Sequence, residues 1–327
     1  MDERAIIGDM KAAICYAAVG VLVAAAWAQQ PSSGGLAART TERPNSVPEG
    51  SRIILDVTRV NMLFTVTDKK GRFVTDLARD DFEIVENKKS QKIQEFTAET
   101  DLPLRLAILI DTSNSIRDRF RFEQEAAIQF INSVVRPRQD KAMVVSFDTS
   151  VDLVTDLIDD VEKLGTGIRS LRPGGGTALY DAIYYSCREK LQQDQPLHKF
   201  RRALIIVSDG DDNQSQVSRD QALEMAQKAD VVIYGISTNI SRTDTDGDKV
   251  LRYLTSETGG QAFFPFKVED LSQSFENIAN ELRHQYNVFY RPEPLKTDGL
   301  YHEVHVKVKG RKDLVVRARK GYYAPKL

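Results

Sequence analysis

The sequence predicts an α/β protein with a doubly wound, mostly parallel sheet and a small all-β sandwich formed by the N- and C-terminal flanks. Two observations lead to this prediction. Between residues 101 and 284, apolar segments such as LRLAILID and ALIIVSD alternate with amphipathic segments of helical period. On either side, in residues 52–100 and 285–327, short segments alternate between apolar and polar residues, as strands do. Apolar strands that alternate with helices indicate a sheet covered on both faces.

The central region carries candidate strands and helices in regular succession. Strands are expected at LRLAILID, KAMVVSFD, VDLVTD, ALIIVSD, VVIYGIS and QAFFPF. Helices are expected at FRFEQEAAIQFINSVV, DVEKLGTGIRSL, ALYDAIYYSCREKLQQ, SRDQALEMAQKA, DKVLRYLTSET and VEDLSQSFENIANELRHQ. Sheets of this kind bind ligands at the carboxyl ends of their strands, where the chain reverses direction across the sheet.

The flanking strands predict a sandwich into which the central domain is inserted. The N-terminal flank contributes IILDVTRVNMLFTVTD, and DFEIVENKKSQKIQEFTAE is expected to form two short strands around a polar turn. The C-terminal flank contributes QYNVFYRPE, YHEVHVKVKG and DLVVRARKGYY. The predicted boundaries are 52–100 and 285–327 for the two halves of the sandwich and 101–284 for the central domain.

The N-terminus is typical of an exported protein. The stretch KAAICYAAVGVLVAAAWAQQ has a positive residue, an apolar run and a small-x-small pattern at Ala26 and Ala28, so residues 1–28 are predicted to be a signal peptide. Met10 is expected to be the true start. An uncleaved anchor is the alternative, but the run is shorter than the roughly 20 residues that span a bilayer. The Pro-, Gly- and Ser-rich residues 29–51 predict a flexible linker. We therefore expect a secreted or periplasmic protein with no stable membrane insertion after cleavage.

Composition excludes some classes of partner. With 327 residues, 41% of them hydrophobic, and a net charge of −2, the chain is an ordinary globular protein and not a polycation built for nucleic acid. Of its two cysteines, Cys15 would leave with the signal, so no internal disulfide is expected. Cys187, on the apolar side of a predicted helix, is interpreted as a core residue.

Oxygen-bearing side chains follow three of the predicted elements of the central domain. Asp111, Ser113 and Ser115 come directly after LRLAILI, Thr177 follows three glycines at the entry to a helix, and Asp209 ends ALIIVSD. These are ligands for a hard divalent cation such as Mg²⁺. Hydroxyls add no formal charge, so the bound cation would attract a carboxylate from another molecule. The alternative is that these residues are helix caps.

The three motifs DTSNS, GGGTALYDA and SDG resemble the metal-ion-dependent adhesion site of von Willebrand factor type A domains. The resemblance covers residues 103–284, and the flanks resemble those of secreted bacterial proteins with a VWFA-related domain. It implies that Ser113, Ser115 and Thr177 contact the metal directly, and that Asp111 and Asp209 act directly or through water. It also implies Mg²⁺, with Mn²⁺ or Ca²⁺ possible, and a protein ligand with an exposed Asp or Glu.

Two other functions stay open at this point. Asp111 could be the nucleophile of a metal-dependent phosphate-ester hydrolase, but the second aspartate that such phosphatases have two residues later is replaced by Ser113. No catalytic residues are therefore predicted, and the protein is not expected to be an enzyme. A structural subunit of an envelope assembly is the other alternative. Asp211 and Asp212 are expected to hydrate the rim of the site, and TDTDGDK is interpreted as a solvated acidic loop.

Overall fold

The computed structural model describes residues 59–98, 101–114, 119–239, 241 and 243–326. The predicted signal peptide, the linker, residues 52–58 and Ser115 lie outside the described residues. The strands are β1 (Val60–Asp68), β2 (Phe82–Glu86), β3 (Lys89–Gln91), β4 (Ile93–Thr97), β5 (Leu104–Asp111), β6 (Lys141–Phe147), β7 (Val151–Ile158), β8 (Arg201–Ser208), β9 (Val231–Ser237), β10 (Ala262–Phe263), β11 (Tyr286–Tyr290), β12 (Tyr301–Val308), β13 (Leu314–Ala318) and β14 (Gly321–Tyr323). The helices are α1 (Phe120–Val134), α2 (Val161–Ser170), α3 (Leu179–Tyr185), α4 (Arg219–Lys228), α5 (Asp246–Thr258) and α6 (Val268–Arg283).

The central sheet has the order β10-β9-β8-β5-β6-β7, and only its edge strand β7 is antiparallel to its neighbour. The chain begins in the middle with β5, builds outward to β7, and then returns to add β8 on the other side of β5. The reversal of strand order therefore falls between β5 and β8, the position where ligands bind in open α/β sheets. The predicted fold class is confirmed.

Helices cover both faces of this sheet because its strands are apolar on both sides. All eight residues of β5 are buried. Leu106 and Ile108 of β5 pack in one core cluster with α1, α2 and α6, whereas Ala107 and Leu109 pack in a second cluster with α3, α4 and α5. The alternation follows from the two-residue period of a strand.

The flanking strands form two antiparallel sheets, with the orders β13-β1-β11-β4 and β14-β12-β2-β3. Each sheet combines strands from both ends of the chain, and β1 pairs with β11 from Val60 opposite Tyr290 to Phe64 opposite Tyr286. Their shared core contains stacked and edge-on aromatic rings, with the ring centroids of Phe64 and Phe82 5.0 Å apart. The sandwich component of the predicted fold is confirmed, while the domain boundaries stay a prediction.

The number of strands in the flanks differs from the sequence prediction. The segment expected to give two strands gives three, because β2 and β3 form a hairpin through Asn87 and Lys88, both with positive φ, and β4 then crosses to the other sheet. DLVVRARKGYY likewise divides into β13 and β14, which belong to different sheets. Local alternation predicts strand character, whereas these divisions depend on which sheet the chain pairs with.

The sandwich contacts the central domain through a buried polar cluster. Glu281 near the end of α6 accepts a hydrogen bond from Thr65 of β1 (3.2 Å) and forms a 3.0 Å ion pair with Arg317 of β13. The Glu281 side chain is only 2% exposed. Because burial outweighs the favourable effect of Arg317, the pKa of this carboxyl is raised. Within the part of the chain that the structure describes, every helix is too short or too polar to cross a membrane.

Candidate cation site

The first loop of the site begins where β5 ends, at Asp111. This side chain is fully buried. Its Oδ1 accepts a hydrogen bond from the backbone N–H of Ser113 (2.8 Å), and its Oδ2 accepts one from the hydroxyl of Ser208 (2.6 Å). The carboxylate is thereby held in one orientation and joined to the end of β8, across the reversal of strand order. Ser208 was not identified from the sequence, and its only signal was its position beside Asp209.

The glycine-rich second loop lies against the first. The backbone N–H of Gly174 donates to the carbonyl of Thr112 (2.6 Å), and the side-chain amide of Asn114 donates to the carbonyl of Gly175 (3.3 Å). Gly175 has φ +84°, and a Cβ at this position would lie 2.8 Å from the hydroxyl of Thr149. A glycine is needed here for both backbone conformation and space. The loop therefore reaches the end of β5 as expected from its composition.

Thr177 is fixed by the third loop, which follows β8. Its carbonyl accepts hydrogen bonds from the backbone N–H groups of Asn213 (3.0 Å) and Gln214 (3.1 Å), and its own N–H donates to the side-chain oxygen of Asn213 (3.1 Å). Thr177 is 5% exposed. Its hydroxyl makes no hydrogen bond within the part of the chain that the structure describes. The backbone of Thr177 is thus held rigidly, while its oxygen is available to a ligand.

The structure therefore places four of the five predicted site residues on three loops at the carboxyl edge of the sheet. Asp111 and Ser113 lie in the first loop, Thr177 in the second and Asp209 at the start of the third. Hydrogen bonds connect the first loop to the second and the second to the third, and Ser208 at the end of β8 donates to Asp111 at the end of β5. The fifth residue, Ser115, lies outside the described residues, so its placement stays a prediction.

The α-helices that follow the three loops do not take their N-caps from the predicted site residues. In the central domain, Asp160, Ser218 and Thr245 cap α2, α4 and α5 through their side chains. The residues that precede α1 and α3 are Arg119 and Ala178, and neither makes a side-chain cap. The N-cap positions of α1, α3 and α4 are therefore Arg119, Ala178 and Ser218, and none of them is a predicted site residue.

Burial and mutual repulsion make the edge unfavourable for negative charge. The pKa of Asp111 is raised to about 6, chiefly by burial, with a further increase from the charge of Asp209 and opposition from its hydrogen bonds. The pKa of Glu123 in α1 is raised to about 8 by burial, and the charges of Asp111 and Asp209 add to the effect against the opposing Arg119. A cation at this edge would relieve both penalties.

Glu123 is a feature that the sequence did not reveal. It is 3% exposed, and its Oε2 has no hydrogen-bond partner among the described residues. A glutamate in the first turn of a helix is normally expected to be solvated and to interact favourably with the positive end of the helix dipole. Only the packing of α1 onto the sheet shows that this carboxyl is buried near the two aspartates.

The donor set fits a hard cation. Among the described residues, no group of three His, Cys, Asp or Glu side chains is placed to hold a metal ion. A cation at this edge would therefore depend on the hydroxyls of Ser113 and Thr177 beside the two aspartates. Oxygen donors of this kind suit Mg²⁺, Mn²⁺ or Ca²⁺ better than zinc, which prefers nitrogen and sulfur.

Two acidic residues near the site have structural roles. Asp212 was expected to hydrate the rim, but its Oδ2 accepts hydrogen bonds from the backbone N–H of Tyr180 (3.0 Å) and the hydroxyl of Ser215 (2.6 Å). It therefore caps the first turn of α3. Asp248, in the acidic segment expected to be solvated, is 3% exposed and accepts a 2.7 Å hydrogen bond from Ser237. Asp211, in contrast, is exposed.

Two histidines and the buried cysteine belong to other parts of the structure. His302 is buried and His305 exposed on β12, as the odd separation in a strand predicts. Cys187 is fully buried, and its burial raises the pKa of the thiol. It is therefore a core residue, in agreement with the sequence interpretation.

Comparison with known proteins identifies the family. The model of the von Willebrand factor type A domain matches residues 106–281, more than half of the chain. The chain therefore belongs to the von Willebrand factor type A family. A search of curated proteins gave no match.

Solved structures with a similar fold are distant. A von Willebrand factor type A protein from Catenulispora acidiphila is 13% identical, with TM-score 0.47 over 82% of this chain and 74% of that one. Proximal thread matrix protein 1 from the mussel byssus, with a zinc-occupied MIDAS motif, is 17% identical, with TM-score 0.48 over 59% of this chain and 48% of that one. The PilB minor pilin from Streptococcus sanguinis is 13% identical, with TM-score 0.45 over 57% and 62%. The chain spans less than two thirds of the byssus protein and of the pilin.

Proposed function

We propose that this protein is an adhesion or protein-binding module that uses a divalent cation to capture an acidic residue of its partner. Family membership supports the general class, since von Willebrand factor type A domains are protein-binding modules. The single observation that supports the cation is the joining of three loops that bring the hydroxyl residues Ser113 and Thr177 to the same edge as Asp111 and Asp209.

In this proposal, Ser113, Ser115 and Thr177 hold the cation with their hydroxyls, and Asp111 and Asp209 balance its charge. The cation, preferably Mg²⁺, supplies an electrophilic centre to which an Asp or Glu of the partner binds. The carboxylates of Asp111 and Asp209 match the charge of a divalent ion and the hydroxyls add none, so this set of ligands carries no net negative charge that would repel the partner's acid group. The hydrogen bonds to Ser208 and to the backbone of Ser113 keep the Asp111 carboxylate oriented before the cation arrives.

We propose that the protein acts in binding and not in catalysis. Asp111, the nucleophile of the alternative hydrolase, is fully buried, and both of its oxygens accept hydrogen bonds. An attacking carboxylate must reach its substrate, so this arrangement favours a structural and charge-balancing role. Sustained, Mg²⁺-dependent hydrolysis of p-nitrophenyl phosphate that is lost in Asp111→Asn would contradict this part of the proposal.

We further propose that the mature chain is secreted or periplasmic, after removal of residues 1–28. The supporting observation is the apolar run that ends in the small-x-small pattern before Gln29. N-terminal sequencing of the mature protein from the cell envelope or medium tests this, with Gln29 as the expected first residue. A mature protein that retains residues 10–28 would contradict it.

The central experiment measures cation binding first and partner capture second. The full chain should bind Mn²⁺, followed by its electron paramagnetic resonance signal, and Thr177→Ala should weaken binding at least tenfold. Thr166→Ala is the matched control, because Thr166 lies on the exposed side of α2. Extracellular proteins captured on the immobilised chain in Mg²⁺ should then be released by EDTA and not captured by Asp209→Ala.

Two outcomes would contradict the proposal. Mn²⁺ binding that is unchanged in both Thr177→Ala and Asp209→Ala would place the cation elsewhere. Capture of the same partner in EDTA and by Asp209→Ala would show that the cation is not needed for recognition. A permanent envelope assembly, the structural alternative, would instead give a complex that forms with the cation but does not exchange its subunits after dilution.

A further inference from the structure

A second recess lies between the central domain and the sandwich, at the edge of the parallel sheet opposite the candidate cation site. Its volume is about 370 Å³. Residues 195–198 before β8 and Asp230 before β9 line one side, so it faces the amino ends of these strands. The residues at its rim, such as Gln195 and Lys228, are exposed, whereas Asn61 and Tyr322 are buried. A recess of this size is within the range of small-molecule sites, about 300–1,000 Å³.

The buried part of the recess contains side-chain amides without partners. Gln227 at the end of α4 is 7% exposed, and its amide makes no hydrogen bond to any residue that the structure describes. Asn61 of β1 is 6% exposed, and both its Oδ1 and its Nδ2 lack partners among the described residues. The two polar atoms of Asn61 are themselves buried, and leaving such groups unpaired costs about 1–3 kcal/mol each. Each amide both donates and accepts, so a fitting ligand carries neighbouring donors and acceptors.

The charge around the recess favours an anion. The basic side chains that line it outnumber the single acidic one, Asp230. Most are already paired: Arg59 with Glu95, Lys228 with Glu224 and Arg319 with Asp230. Lys296, half-buried, has no ion-pair partner within the described part of the chain. The positively charged side chain of Lys296 thus remains available to a ligand carboxylate.

Apolar side chains form the rest of the lining. Pro196, Pro292 and Pro325, together with Leu197, present carbon surface to the recess. A ligand that satisfies the whole lining therefore has an apolar face, adjacent hydroxyls and one carboxylate. Acidic sugars combine these features, because each hydroxyl donates and accepts and the ring carries a C–H face.

We propose that this recess binds an acidic carbohydrate, namely a uronic acid or a short chain that ends in one. Its carboxylate forms an ion pair with Lys296, and its hydroxyls form hydrogen bonds with the amides of Gln227 and Asn61. Its C–H face packs against Pro196, Pro292 and Pro325. Asn61 contributes by turning its terminal torsion, which no hydrogen bond restrains. The site goes beyond the proposed function and does not depend on the cation.

Glucuronate titrated into the full-length chain in EDTA tests the proposal, because EDTA removes the cation that would also attract a carboxylate. Calorimetry should show saturable binding, with glucose, its neutral counterpart, at least tenfold weaker. Lys296→Met and Gln227→Leu should each weaken glucuronate binding at least fivefold. Lys312→Met, an exposed lysine outside the recess, should leave it unchanged.

The proposal is overturned if glucuronate does not saturate, if glucose binds equally well, or if both variants bind like the unaltered chain. Tighter, Lys296-dependent binding of N-acetylglutamate would also overturn it, in favour of a peptide acid. Circular dichroism establishes that each variant is folded. The titration is done without metal ions, so its failure would not contradict the proposed cation-dependent function. Failure of the cation-dependent function would likewise not contradict glucuronate binding in the recess.

Discussion

Replacement of Glu123 by glutamine should stabilise the metal-free protein at neutral pH. In the fold the pKa of Glu123 is raised to about 8 from its ordinary value of 4.5. The folded state thus holds a proton that the unfolded state releases, so this group's favourable contribution is complete below pH 4.5 and is lost as the pH rises towards 8. At about 1.4 kcal/mol per pH unit, the penalty at pH 7 is about 3 kcal/mol. Glutamine is neutral in both states and avoids it.

The magnitude depends on the groups that face Glu123. Burial dominates, the charges of Asp111 and Asp209 raise the pKa further, and Arg119 lowers it. Urea unfolding of the full chain in EDTA, at several values between pH 4.5 and pH 8, measures the effect. The free energies of unfolding of Glu123→Gln and of the unaltered chain should coincide near pH 4.5 and separate as the pH rises.

Glu125→Gln is the matched control, because Glu125 lies on the same helix but is exposed. Its free energy of unfolding should differ from that of the unaltered chain by less than about 0.5 kcal/mol at every pH. A constant difference between Glu123→Gln and the unaltered chain across the pH range would refute the reasoning. So would a less stable Glu123→Gln at pH 7, since it would mean that the carboxylate is ionised and well paired in the fold.

Other substitutions test the loops and the junction with the sandwich. Asp212→Ala removes the cap of α3 and should lower the free energy of unfolding by about 1 kcal/mol in urea; an unchanged midpoint would contradict this role. Gly247→Ala would place a Cβ 2.2 Å from the carbonyl oxygen of Asp209, so Mn²⁺ affinity and thermal stability should both fall. Glu281→Leu leaves the partly exposed Arg317 and the hydroxyl of Thr65 without their partner and should cost about 1–3 kcal/mol. Part of this loss should be regained when Arg317→Met is added. A double variant as unstable as the single one would rule out the ion pair as the cause.

Much of the candidate cation site could be predicted from the sequence because its parts follow directly from local patterns. Apolar runs that end in Asp111 and Asp209 predict parallel strands, and the carboxyl ends of parallel strands meet at one edge. The glycines before Thr177 predict a loop with backbone freedom. Each of these inferences uses only the order of residues along a short segment, and the structure agrees with them.

The rest depends on contacts between distant parts of the chain. The role of Ser208 requires β8 to lie beside β5, and the burial of Glu123 requires α1 to pack onto the sheet. From the sequence, Asp212 is expected to be a solvated acidic residue. Its role as a cap becomes visible only in the structure, where α3 lies next to the third loop. Residue types permit several roles at such positions, and only the neighbours decide among them.

The sequence by itself determined that a parallel sheet carries oxygen-bearing loops at its carboxyl edge, because strand period and loop composition are local properties. Only the tertiary structure decided how the two flanks share out their strands between two sheets, and which polar groups they bury against the central domain. Thr65 and Glu281 illustrate the reason, since 216 positions separate them along the chain. No local pattern encodes the free energy of a contact that exists only after both domains have folded.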